Sequence, residues 1–535
     1  MLKKLLIVLG ILLVLGFMAV WGAELWLMRT LPEKLNANED RQYDVLFEEV
    51  DIKLFEGTIL LQGISIKPLK TGMPTTVSGS MNFLKLGQVK MLEFIFGDAA
   101  DIGELTLDRP VFTLVREDSV TQEASEFSKA IQDLFGDLVS RGVIHNFTLT
   151  EGSGEFYTKS DTLKKFGSFD GFSIIAKNLE TDTVILNYAI PFKLESIETR
   201  VQNLAINLES DLTFRVNDLQ LDSKTESVDL FGVSLKYDDS NLEASKRSEY
   251  QTDFIEIDLK HFRIDRLAAN SNIYGNWSVI ADKATIDSLV LHDVRNKNKP
   301  RPDEPEKPMF EGMVEKIPFP LILDTLVVIN SSITYAEVGL GKAVPAELVF
   351  GDMQAEIYNL ASIDSLQPEV MVINSKAVLN KIAPVTMDVN VKYTKENESF
   401  SLLATVAPFD LAGLSPVLQR LLEVKITSGR LQRLEMTMDA GRYTSNNTLI
   451  FDYENLEIEV LDSSNKKKGL ISKVANLLAS KQNMPEFRNH RTAKYATDRN
   501  IHRGTFNYIW NSTRDGIKEI VPSDVALILL QNSDR

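Results

Sequence analysis

The sequence predicts a mainly β protein: a long, curved antiparallel sheet or taco-like groove, with a few helices and one N-terminal transmembrane helix. Three observations support this fold class. Most of the chain alternates apolar and polar residues with period two, which is typical of strands with one wet face. Turn-forming residues separate these runs. Only three stretches have the apolar spacing of an amphipathic helix, so we expect a meander of antiparallel strands.

The N-terminal apolar segment, Leu5 to Ala23, is 19 residues long and follows two lysines. At about 1.5 Å per residue it reaches roughly 28 Å, close to the ~30 Å hydrocarbon core of a bilayer. We therefore predict a transmembrane anchor over residues 1–30, a single pass through an inner membrane. The positive-inside rule predicts a cytoplasmic N-terminus and a periplasmic body. The alternative is a cleaved signal peptide, with a cut after Gly22.

Composition and charge narrow the functional class. The absence of cysteine excludes disulfides, zinc-thiolate sites, iron-sulfur clusters and thiol nucleophiles, and in a long exported chain it favours a bacterial envelope. The net charge is −17, but residues 463–535 hold 13 Lys or Arg against 6 Asp or Glu, which leaves −24 for the rest. An acidic body argues against nucleic acid as a partner. The basic tail is suited to anionic headgroups, or is simply a solvated surface.

The alternating runs predict the strands in chain order. The cleanest runs begin at Leu105, Leu204, Ile255 and Leu456. Further runs extend from Val50 to Phe55, Ile59 to Ile66, Phe112 to Val115, Leu212 to Val216, Val228 to Leu235, Phe262 to Leu267, Ile286 to Leu291, Leu323 to Ile333, Met387 to Tyr393, Phe400 to Val406 and Leu449 to Tyr453.

Three helical patterns interrupt the strands. The clearest extends from Ser119 to Val139, and a shorter one from Leu414 to Leu422. The third lies in the basic tail, from Thr505 to Val521, with a neighbouring helix from Leu470 to Leu478. An amphipathic tail helix with Trp and basic residues lies in a membrane interface or caps the end of a β-domain, and we favour the cap.

A proline-rich, charged stretch over residues 300–309 lacks the apolar residues of a core element, so we expect a linker or exposed loop there. The linker separates a first β-rich groove region (31–299) from a second β-rich region (310–462). An anchor (1–30) precedes the first region, and a basic helical tail (463–535) follows the second.

The number of one-sided strands raises the question of what covers their apolar faces. Two or three short helices cannot cover so many strands. Either the sheets cover one another, as in a closed sandwich or barrel, or the sheet curls into a trough with an apolar inner face. In a trough, the lining would comprise Leu204, Ile206, Leu208, Ile255, Ile257, Leu259, Leu456, Ile458 and Val460.

Both ends of the chain carry degenerate patterns in a specific order. After Met387, an alternating strand precedes the segment from Val406 to Leu418, and then come strands beginning at Ile426 and Leu449. Near the N-terminus, the segment from Ile102 to Leu114 looks like a strand-turn-strand with proline at the turn. With the anchor, this order resembles the AsmA-like family of membrane-anchored envelope proteins, which is similar to the repeating β-groove proteins.

The resemblance implies an apolar groove that carries lipids between membranes. Its expected partners are the inner-membrane bilayer and a phospholipid cargo, and it leaves room for an outer-membrane or envelope protein partner. Outer-membrane homeostasis is the implied role. The competing hypothesis is a structural adaptor or assembly scaffold of the envelope, with a closed β-sandwich core and no bound lipid.

The sequence gives no support for catalysis. The five histidines have no metal-ligand spacing and adjoin no nucleophile motif; they are His145, His261, His292, His490 and His502. Paired carboxylates lie in turns or on wet faces. We therefore expect no enzyme activity, no catalytic residue, no metal site and no cofactor.

Overall fold

The structure is a computed structural model that describes most of the chain. The described residues are 17–30, 43–69, 75–91, 93, 100–117, 142–181, 193–209, 211–271, 277–302, 305–362, 368–394, 398–461, 467 and 479–522. Within them the protein is mainly β, as predicted. Each alternating run overlaps a strand.

The strands are numbered in chain order. The first eleven are β1 Tyr43–Leu46, β2 Glu49–Lys53, β3 Thr58–Pro68, β4 Thr75–Val89, β5 Ala100–Asp108, β6 Val111–Glu117, β7 Gly142–Lys159, β8 Leu163–Thr181, β9 Ser196–Asn207, β10 Leu212–Asp222 and β11 Ser227–Tyr237. The others are β12 Asp253–Asp265, β13 Ala268–Ser271, β14 Trp277–Asn296, β15 Leu321–Val338, β16 Ala346–Ala361, β17 Val370–Leu379, β18 Ala383–Lys392, β19 Ser399–Val406, β20 Phe409–Asp410, β21 Val424–Ala440, β22 Thr444–Val460 and β23 Thr492–Asp498. The named helices are α1 Asn241–Arg247, α2 Phe310–Glu315, α3 Ser415–Leu422 and α4 Thr505–Ile520.

The chain forms two compact units. Unit 1 comprises Met1–Phe231 with Ala268–Ser278, and unit 2 comprises Gly232–Leu267 with Val279–Arg535. In unit 1, β3 pairs with β1, β2 and β4, and an antiparallel series continues from β7 through β8 and β9 to β10. In unit 2, pairing passes from β12 through β14 to β19 in chain order, and then through β21 and β22 to β23.

The sheets are mixed, and the prediction of purely antiparallel strands is wrong. Strands β5 and β6 both pair in parallel with β7, and β14 pairs in parallel with β15. Parallel neighbours need a connection long enough to return the chain to the same end of the sheet. Residues 118–141 and 297–320 are the two long connections that allow these pairings.

The predicted strand-turn-strand around Pro110 is also wrong. Asp108 lies opposite Phe83 and Val111 opposite Ser80, so β5 and β6 follow the same neighbour, β4, in the same direction. Pro110 therefore interrupts one long strand, since proline provides no N–H for the ladder.

A row of β-bulges crosses unit 1. Arg109, Glu151, Gly171 and Asn203 lie at neighbouring positions on successive strands, with φ between 48° and 56°. The register shifts at the bulges on β7 and β8. Along a strand that crosses the row, the apolar residues change from odd to even positions, or the reverse, yet they join one core. A bulge inserts one extra residue, so the apolar side chains beyond it return to the same face of the sheet.

Unit 2 has a corresponding row. Ser288, Asn330 and Asp352 have φ of 61°, 52° and 49°, and the register of β15 with β16 shifts beside them. The apolar pattern of β12 slips at the same level, from Leu259 to Phe262. Bulged strands bend locally, so each row marks a line along which the strands bend.

The proline-rich stretch is fixed to unit 2. Arg442 donates two hydrogen bonds of 2.9 Å to the carboxylate of Glu306, and the Lys307 N–H donates to the Ile501 carbonyl at 2.8 Å. The division of the chain falls after Phe231, not at residues 300–309.

The two C-terminal helix predictions within the described residues are confirmed. Helix α3 follows a 3-10 turn at Leu411–Leu414, and α4 packs as a cap on the sheet of unit 2. Tyr508 and Ile520 of α4 are each 1% exposed within that core, whereas Trp510 on its other side is 51% exposed.

The remaining helix predictions lie largely outside the described residues. They concern residues 5–16 of the anchor, the stretch from Ser119 to Val139, and the stretch from Leu470 to Leu478. Residues 17–30 are helical, with Leu27 buried against the core of unit 1. Among the helices of the described residues, none has both the length and the apolar character needed to cross a membrane.

Candidate functional site

The candidate site is an apolar face in the middle of unit 2. Ile257 on β12 lies opposite Leu291 on β14, which pairs with Ile333 on β15 and then Phe350 on β16. All four side chains are half-buried. Ile255, on the same face of β12, is 37% exposed. We call these five residues the apolar floor; each of them keeps part of its surface in contact with solvent.

The opposite face of these strands is polar over much of its length. Asp258 pairs with Lys236, and Val290, directly opposite Asp258, is 50% exposed. At one end of this face, α1 packs beside Phe254 and Val294, which are both buried. Helix α1 therefore covers the face that points away from the apolar floor.

On the other side of the bulge row, the apolar face continues towards the C-terminal strands. One cross-strand row comprises Phe262, Ile286, Val328, Ala355, Ser375, Met387, Ala404, Met436 and Leu449. Phe262 and Ile286 are half-buried, whereas Met436 is 1% exposed and Leu449 is fully buried. Helix α4 covers this end, where Thr513 Oγ1 contacts Met436 Sδ at 3.1 Å.

Charged side chains border the apolar floor. Asp253, Arg295 and Glu337 lie opposite one another on β12, β14 and β15, and Arg295 Nε is 2.8 Å from Asp253 Oδ1. Asp293 lies between this charged row and the floor. Burial raises the pKa of Asp293 to about 7, the nearby charge of Asp253 adds to the rise, and Arg295 opposes it.

The nine residues predicted to line a trough are divided between the two units. In unit 1, Leu204 and Ile206 are half-buried on β9, while Leu208 lies beyond the end of that strand and is 57% exposed. Ile206 lies opposite Gly167, which pairs with Phe156, so these three residues form one cross-strand row.

The other six predicted residues lie in unit 2. Ile255, Ile257 and Leu259 lie on one face of β12, and the first two belong to the apolar floor. Leu456 is 7% exposed in the C-terminal core, and Ile458 packs against that core; Val460 ends the same strand. The three predicted residues on β22 therefore belong mainly to the covered core. In the order of strand pairing, β14 to β19 and β21 separate β22 from β12.

Sequence reasoning missed the rest of the floor and its charged border. Leu291 was within a predicted strand, but nothing in the pattern paired it with Ile333 through a parallel contact. A usable signal was present at the bulges: the apolar spacing of two becomes three between Leu259 and Phe262, and between Ile286 and Leu289. Such a slip within one run indicates a bulge.

No protein-family model matches the chain, and no curated protein matches its sequence. Within the part of the chain that the structure describes, no group of three acidic or histidine side chains could hold a metal ion.

Proposed function

We propose that the apolar floor binds the hydrocarbon chain of an amphiphile and that the protein transfers lipids without catalysis. The observation that supports this proposal is the partial exposure of a contiguous apolar row on strands whose other face is polar over much of its length outside the patch that α1 covers. Contiguous exposed apolar surface is typical of ligand or partner sites. A hydrocarbon chain on the floor would remove this surface from water.

The energetics favour a chain-like ligand. Each buried methylene contributes about 0.8 kcal/mol, so a run of partly exposed side chains can hold an acyl chain through many small contacts. None of these contacts is directional, which lets the chain slide along the floor. Helix α4 closes the same sheet face at its C-terminal end, where Met436 and Leu449 are buried.

The cellular setting that we propose is the bacterial envelope. The apolar N-terminal segment would anchor the chain in the inner membrane with the body in the periplasm, next to the bilayer that supplies the lipid. The resemblance to AsmA-like proteins supports this setting, together with a role in outer-membrane homeostasis. An envelope protein that receives the lipid is the expected partner.

A matched pair of charged substitutions tests the proposal. Ile257→Asp introduces a carboxylate on the floor, and Val290→Asp introduces one on the opposite face of the neighbouring strand. The full-length chain would be purified in mild detergent, and co-purifying lipid extracted and identified by mass spectrometry. We expect bound lipid in the wild type and in Val290→Asp, and a severalfold loss in Ile257→Asp.

The adaptor hypothesis predicts a different result. The fully buried C-terminal core, with Tyr453 and Leu449 at 0% exposure, is the observation that favours it. A folded chain that never carries lipid, in the wild type or either variant, would exclude the lipid proposal and favour a scaffold.

A further inference from the structure

The border of the apolar floor changes from apolar to charged within four residues along each strand, and within two on β14. On β14, Leu291 lies in the floor, Asp293 follows on the same face, and Arg295 comes next. On β15 the corresponding residues are Ile333, Tyr335 and Glu337. An amphiphile has the same order of chemistry, a hydrocarbon chain followed by a polar head.

Most charges at this border are already paired. Arg295 pairs with Asp253, and Lys297 Nζ lies 2.7 Å from a Glu337 carboxylate oxygen. The hydroxyl of Tyr335 donates to the other Glu337 oxygen at 3.0 Å. The two cations are therefore matched by two carboxylates, and Asp293 is the additional acidic group.

Asp293 has an oxygen with no donor. Its Oδ1 is buried and receives no hydrogen bond. Its neighbours across the sheet are Ile255 on one side and Tyr335 on the other. A buried carboxylate oxygen without a partner is costly, and a cationic N–H donor would satisfy both its charge and its hydrogen-bonding capacity.

We propose that Asp293 binds the ammonium head of an aminophospholipid whose acyl chain lies on the apolar floor. This inference rests on the proposed function and names the class of lipid. The chemistry selects an amine over a phosphate, because a free anion would be repelled by Asp293, while Arg295 and Lys297 are engaged by carboxylates. A primary ammonium has three donors, whereas a trimethylammonium head has none for Oδ1.

The burial of Asp293 is consistent with this role. Partial removal from water, together with the charge of Asp253, raises the pKa of Asp293 to about 7. In the free protein the charged form of this side chain is therefore destabilised near neutral pH. An ammonium placed beside the carboxylate would stabilise its charged form.

The test uses the full-length chain in detergent micelles and three acyl-labelled fluorescent phospholipids. They carry an ethanolamine, a choline or a glycerol head on identical chains. Wild type is compared with Asp293→Asn, which keeps the shape and removes the charge, and with Asp258→Asn on the opposite face. Asp293→Ser provides a second variant at the same position, and circular dichroism checks folding.

We expect the wild type and Asp258→Asn to bind the ethanolamine lipid about tenfold more tightly than the other two, since hydrogen bonds to charged groups contribute about 1.5 kcal/mol or more. Both Asp293 variants should bind all three lipids equally. Equal wild-type binding of all three, or an ethanolamine preference that survives in the Asp293 variants, would overturn the headgroup inference while leaving lipid binding intact. Binding of none of the lipids would overturn the proposed function and this inference together.

Discussion

Two stretches of one sheet face in unit 2 have similar sequences and different environments. Val389, Leu402 and Met438 lie in a cross-strand row in which each is at most 3% exposed. Ile257 alternates with polar residues in the same way, but Ile257 and its cross-strand neighbour Leu291 are only half-buried. The C-terminal stretch lies beneath α4, whereas α1 packs on the reverse side of the other stretch.

Strand alternation alone therefore does not decide between a closed core and an open face. Alternation creates an apolar face in both places, and the position of the helices decides which face is covered. The lipid proposal depends on the uncovered stretch.

The largest effect is expected for a charge in the covered stretch. Leu449→Asp places an unpaired carboxylate where the side chain is fully buried, between Met436 and Ala493. The free energy of unfolding should fall by about 4 kcal/mol or more. Thr448→Asp, on the opposite face beside Lys494, is the control and should change it little. Chemical denaturation followed by circular dichroism measures both; equal effects would contradict a closed core.

The next effect concerns the cap itself. Tyr508→Ala removes a side chain that is 1% exposed beneath α4 and should destabilise the protein by about 3 kcal/mol. Trp510→Ala removes a larger ring from the exposed side of the same helix and should stay within about 0.5 kcal/mol. Thermal unfolding distinguishes them. If the two variants lose equal stability, α4 does not cover the C-terminal core as described.

A smaller, pH-dependent effect is expected at the border of the floor. Because the folded-state pKa of Asp293 is about 7, above its ordinary value of 3.8, its contribution to stability is present below about pH 4 and is lost as the pH rises towards 7. Asp293→Asn cannot ionise. It should therefore match the wild type at pH 4 and exceed it by about 1–2 kcal/mol at pH 8, after allowance for solvent screening.

Denaturant unfolding at both pH values measures this difference. Subtracting the wild type cancels the contributions of carboxylates that both chains share, such as Asp287, whose pKa is lowered by hydrogen bonds from Asn330 and Ser288. A constant difference between pH 4 and pH 8 would mean that Asp293 is not held in a desolvated position.

The smallest stability effect is expected on the floor. Ile257→Asp replaces a half-exposed side chain whose new carboxylate can reach water, so the free energy of unfolding should fall by less than about 1 kcal/mol. The contrast with Leu449→Asp sharpens the comparison between the two stretches. Collapse of the fold in Ile257→Asp would place Ile257 in a closed core.

The sequence predicted the local elements well because their signals are local. Period-two alternation identified the strands, and the apolar stripes that begin at Leu414 and Thr505 identified α3 and the capping helix α4. The spacing of apolar residues alone predicts a helix that buries one face and exposes Trp510.

Strand pairing, and the covering of apolar faces by helices, were harder to predict from the sequence, because both depend on segments that are distant along the chain. The parallel contact of β14 with β15 requires the chain to return through residues 297–320. The linker predicted at residues 300–309 lies within this connection, where Glu306 pairs with Arg442. Leu456 and Ile257 have the same alternating context, yet only Leu456 is buried. The sequence around neither residue specifies whether a helix covers it.

The central claim, that the apolar floor of unit 2 holds a lipid chain, is tested most directly by photocrosslinking. A benzophenone amino acid would be introduced at Leu291 on the floor, or at the adjacent Val290 on the opposite face, in the full-length chain reconstituted with isotope-labelled phospholipid. Mass spectrometry would then count lipid adducts at each position. The account predicts adducts at position 291 and only background at 290; equal labelling at both, or none at 291, would contradict it.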